Sequence, residues 1–81
     1  MQGEPAGQQF QVFQEIRRQI EEGIRIEERT EILSRLDALE QAQGTPSFVT
    51  RYTEFIAAAA NHMTLIAPFI PALTQLLHNI L

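Results

Sequence analysis

The sequence predicts an all-α fold: a small helical bundle of three to four helices, with an amphipathic hairpin packed on a long Pro-kinked C-terminal helix. Apolar residues recur at helical spacing along most of an 81-residue chain, and no stretch carries the two-residue alternation of a half-buried strand. Gly23 and the cluster Gly44-Thr45-Pro46-Ser47 punctuate an otherwise periodic pattern. The expected organisation is a disordered tail over residues 1–7 followed by one helical domain over 8–81, with helices near 8–22, 26–43, 46–67 and 69–80.

The opening Met1-Gln2-Gly3-Glu4-Pro5-Ala6-Gly7 is polar and broken by Gly and Pro, with neither a basic leader nor an apolar run, so it reads as a frayed tail. On a wheel of about 100° per residue, Phe10, Phe13, Ile16, Ile20 and Ile24 form one stripe, which defines the first helix. The next apolar set, Ile26, Ile32, Leu33, Leu36 and Leu39, points roughly 150° away, far more than the drift of about 20° per heptad in a continuous helix. A break at Gly23 accounts for the jump, with Gly23 taking the left-handed conformation that closes a helix and Ile24 supplying the accompanying apolar contact. The second helix gains support from Glu31 and Arg35 at a four-residue spacing and stops at Gly44. Thr45 is placed to cap the third helix and Pro46 to occupy its first turn.

From Phe48 onward, Tyr52, Phe55, Ile56, Ala59, Met63, Ile66, Ile70, Leu73 and Leu77 keep one phase straight through Pro68 and Pro71. Proline in a helix interior costs about 3 kcal/mol, so the distortion is expected at these two residues, as a kink rather than a reversal. The opposite face is polar in places but never charged, and a solvated face of this length ordinarily carries Lys, Arg or Glu. Its small residues suit close packing against another helix. The candidate interface is therefore Ala57, Asn61, Thr64, Pro68, Ala72, Gln75, Leu76 and Ile80.

Charge is divided along the chain. Residues 1–44 hold nine of the ten acids and five of the six Arg, there is no Lys, and the formal net charge is −4. Beyond Glu54 nothing ionises except His62 and His78. An acidic chain with diluted Arg lacks the cationic footprint that nucleic-acid binding needs. A chain this short buries only about 60–65% of its unfolded surface, and with no Cys for disulfides a partner chain is the remaining support. The lack of Cys fits a cytoplasmic setting.

Chemistry finds little to work with. The two His are sixteen residues apart, in no pattern that sets two ligands on one helix face, so no metal or other cofactor is expected. His62 lies at the edge of the apolar stripe, where its ring packs while one nitrogen bonds. Ser34 and Ser47 have no strand-turn-helix elbow, and Glu21 with Glu22 or Glu27 with Glu28 belong to a solvated helix face. The chain is expected not to be an enzyme. Three readings stand. The first is a helical interaction or oligomerisation module, meeting itself as a homodimer or a partner helix through the C-terminal half. The second is a membrane-active or pore-forming protein using residues 55–81, whose 27 uncharged residues exceed the roughly 20 needed to span a bilayer. The third is a small regulatory binder, such as an antitoxin or adaptor, offering its acidic hairpin to a basic partner.

Overall fold

The computed structural model describes residues 5–80, with side chains over 11–79. It is all-α, with no strand among the described residues. The elements are α1 (Pro5–Gly23), α2 (Ile26–Gln41), α3 (Ser47–Ala58), α4 (Met63–Ile66) and α5 (Ile70–Ile80), with single 3-10 turns at Ala60–His62 and Ala67–Phe69. α2 packs on both α1 and α3, and α4 returns to α1. The two hairpins run antiparallel, as their cross-contacts show: Arg17 meets Asp37 and Glu40, and Arg35 meets Glu54.

One core joins all the longer helices. Phe13, Ile16, Ile20 and Ile24 enter it from α1 and the residues just after it, Ile32, Leu36 and Leu39 from α2, Phe48 and Phe55 from α3, and Ile66, Leu73 and Leu76 from the C-terminal segments. No polar or charged residue is buried among the described ones. Each fully buried Leu, Ile or Phe contributes about 1.5–3 kcal/mol, so the cluster supplies most of the driving force in so small a chain. None of α2, α3 and α4 has a side-chain bond at its N-cap. Packing rather than capping therefore holds these helices, as is usual for short ones.

The junctions differ from the sequence expectation in informative ways. Residues 1–4 lie outside the described residues, while α1 already begins at Pro5, where proline has no backbone N–H for the first turn to lose. Gly23 does not take the left-handed conformation; it stays in α1, and the chain turns at Arg25, whose φ of −64° and ψ of 149° are extended. What Gly23 provides is space, since a Cβ there would stand 2.7 Å from Leu65 Cδ1. Ile26, expected in the core, is 65% exposed. As the first residue of α2 it sits beyond the point where the helix meets its neighbours. Thr45 does not cap α3. Its hydroxyl donates to the Ala42 carbonyl at 2.7 Å, closing α2, and Pro46 takes the cap position of α3.

The third helical segment is interrupted at Pro68, as the sequence suggests, and more sharply at a second place ahead of it. The 65° bend separates Ser47–Ala58 from Ala60–Asn79, ahead of Pro68 and Pro71. Pro68 is absorbed in the 3-10 turn Ala67–Phe69, and Pro71 lies at the second position of α5, where its missing N–H costs little.

Gly44 is the position where backbone conformation alone decides. Its φ is +81°, and a Cβ would meet nothing within 4 Å. Gly44→Ala should therefore destabilise the fold by about 1–2 kcal/mol through the left-handed backbone alone, lowering the melting temperature by several degrees with no change in helicity. A melting temperature equal to wild type would contradict the turn.

Candidate interaction surface

The surface divides into a charged and an uncharged region, and the division follows the helices. Arg17, three-quarters buried on α1, donates to Asp37 at 2.8 Å and Glu40 at 2.9 Å on α2. Glu40 first, and Asp37 after it, hold the guanidinium above its ordinary pKa against the opposing effect of burial. On α3, Glu54 accepts from Arg51 at 2.9 Å and lies 3.7 Å from Arg35 of α2, which also donates to Glu31 at 3.1 Å. Arg18 pairs with Glu15 on the outer side of α1. The pairs of Arg17 with Asp37 and Glu40 and of Arg35 with Glu54 cross between helices and hold the α1–α2 and α2–α3 contacts in register, but lie near water, so each is worth about 1 kcal/mol or less.

His62 ends the charged region. Its Nε2 lies 2.7 Å from Glu28 Oε1, and since a carboxylate only accepts, the ring N–H donates. The bond ties the 3-10 turn after α3 to the first turn of α2, 34 positions away in the chain.

Beyond His62 the accessible surface carries no formal charge. Asn61, Thr64, Pro68, Gln75 and also Ala57 are exposed, Ala72 is half-buried, and Asn79, Thr74 and Pro71 extend the face along α5. A shallow groove of about 540 Å³ runs over Ile70, Pro71, Thr74, Gln75 and His78. Of the eight expected interface residues, Leu76 is corrected: at 8% exposure it points into the core beside Leu73 and has no surface to offer. The side chain of Ile80 lies outside the described residues. Asn61, Thr64, Pro68 and Gln75 are each exposed, on the uncharged segments after α3, while Ala57 lies on α3 beside Glu54, Glu31 and Arg35.

Sequence reasoning did not find the Arg17 pairs or the His62–Glu28 bond, because partners 20 to 34 residues apart have no local signature. It also missed the outward exposure of Ile26 and Val49, 65% and 40%. Among the described residues no three His, Asp or Glu are grouped to hold a metal ion. No family model matches this chain, no curated protein matches it, and no solved structure matches it.

The Arg17 bridge is testable by a double-mutant cycle. Arg17→Ala and Glu40→Ala, singly and together, should give a coupling of about 0.5–1 kcal/mol that shrinks in high salt. Strict additivity in urea unfolding would show that the pair contributes nothing.

Proposed function

We propose that this chain is a non-enzymatic helical interaction module that associates with another helix through the uncharged face of its C-terminal half. A second copy is the simplest occupant, because symmetric dimers are the commonest closed assembly. The observation that carries the reading is the charge partition of the folded surface. All but two of the Arg, Asp and Glu of residues 5–80 lie on α1, α2 and the turn between them, the exceptions being Arg51 and Glu54 on α3. The face formed by Asn61, Thr64, Pro68 and Gln75 is small, polar and neutral. For a chain of net charge −4, it is also the region where two copies meet with the least like-charge repulsion. The lack of Cys is in keeping with work in the cytoplasm.

A second reading is membrane activity. Among the described residues no single helix is long and apolar enough to cross a membrane, but Ser47–Ala58 and Ala60–Asn79 together meet that requirement across their 65° bend. The 3-10 turns and exposed Asn61, Gln75, His78 and Asn79 weigh against it, since backbone and polar groups in hydrocarbon must be satisfied within the protein.

Thr64→Arg and Gln75→Arg separate these readings from simple exposure. Light scattering without detergent should give an oligomer for the wild type. Each Arg variant should weaken association by about tenfold or more, with stability altered by less than about 0.5 kcal/mol. A wild-type monomer at every concentration, or variants of unchanged mass, would remove the association reading. Cosedimentation with liposomes would favour the membrane reading instead.

A further inference from the structure

A 65° bend occurs where the sequence favours a straight helix. Residues 57–60 are four consecutive Ala, the best helix formers, with no Gly or Pro among them. Yet α3 ends at Ala58, Ala59 has φ −96° and ψ 10°, and His62 has φ −129° and ψ 32°, all within a 65° change of direction. Meanwhile the fully buried residues Phe48, Phe55, Ala59, Ile66 and Leu73 follow one another at steps of seven, four, seven and seven. That is the spacing of an unbroken helix, kept across the bend. Local preference and global fold disagree here, which marks the site as strained or functional.

We infer that residues 59–62 are a hinge, and that straightening it lets two copies of this chain exchange their C-terminal segments, residues 63–79 of each docking on α1 of the other as they do within one chain. The exchange reproduces between chains the buried contacts that one chain makes within itself, including the seat of Leu65 on Gly23. Only the hinge changes, and it gains regular helical bonds in the Ala run. A second copy is the occupant because it alone presents the same complementary core. A bilayer would instead have to receive Arg51, Glu54, Asn61 and His62 along the straightened segment. With the 3-10 turn at Pro68 kept, straightening the hinge alone joins α3 to α4 as one helix over 47–66, about 30 Å at 1.5 Å per residue, and carries α5 beyond it. This exchange uses the buried stripe and goes beyond association through the uncharged face.

Two substitutions at exposed hinge positions push in opposite directions. Ala60→Gly weakens a straight helix about fivefold per hinge, and two hinges per dimer should lower the dimerisation constant roughly 25-fold. Asn61→Ala strengthens it about threefold per hinge and should raise that constant by on the order of tenfold. Sedimentation equilibrium of the full chain, with circular dichroism to confirm helicity, reads both, and X-ray scattering should show the elongated dimer. If Ala60→Gly alone fails to fold, Asn61→Ala still decides by its sign: the exchange raises the constant, whereas truncating Asn61 on a contact face lowers it or leaves it unchanged. The proposal is overturned if the wild type and Asn61→Ala are monomeric throughout, or if the hinge variants leave the constant unchanged. It is equally overturned if Asn61→Ala enhances uptake by neutral phosphatidylcholine vesicles without promoting dimers. Dimers lost in Thr64→Arg but indifferent to the hinge support the uncharged-face reading and overturn the exchange. The reverse pattern supports the exchange and removes that reading.

Discussion

Burial of the stripe Phe48, Phe55, Ala59, Ile66 and Leu73 under α1 and α2 is the constraint from which the other features of this bundle follow. A straight segment carrying that stripe would outrun the short hairpin available to cover it. The chain satisfies the stripe by bending 65° at the Ala run, which brings α4 back against α1. The bend in turn sets the Leu65 side chain against α1, and Gly23 leaves room for it. Apolar burial, at about 25 cal/mol per Å², outweighs the small local preference of four Ala for a straight helix.

Electrostatics plays a secondary and directional part. The Arg17 pairs and the Arg35–Glu54 contact fix how the hairpins align, and the His62–Glu28 bond pins the bend to the start of α2. None is deeply buried, so they select an arrangement that hydrophobic contact already stabilises. The Arg, Asp and Glu of the described residues lie on α1, α2, α3 and the turn between α1 and α2, which leaves residues 60–79 without any of them, and the functional reading rests on that asymmetry. The inner face of the same segment closes the core, and its exposed residues are the ones proposed for contact.

Much of this was legible in the sequence because it depends on periodicity. The stripes of α1 and α2, the turn at Gly44 and the shared phase of the third segment all follow from residue spacing. What the sequence could not show depends on contacts between distant residues. Gly23 resembles a helix-closing residue until Leu65 is placed over it, and Thr45 resembles a cap for α3 until its hydroxyl is found on Ala42. Pro68 interrupts the helix as its residue type suggests, in the 3-10 turn between α4 and α5, while the larger bend falls on the Ala run, where only packing can account for it. The candidate face was legible as an absence of charge. The inward turn of Leu76 was not, since its position on the wheel borders both faces.

The central claim is that one continuous core spans both sides of the bend, so that the chain unfolds as a unit. Leu73→Ala tests it most directly, since it truncates a fully buried residue on α5 while Tyr52 on α3, the only Tyr in a chain without Trp, reports from across the bend. A single core predicts a loss of about 2–5 kcal/mol, with Tyr52 fluorescence and far-ultraviolet dichroism shifting together in urea. A Tyr52 transition unmoved while part of the helicity is lost would contradict it, because α5 would then be folding apart from the rest.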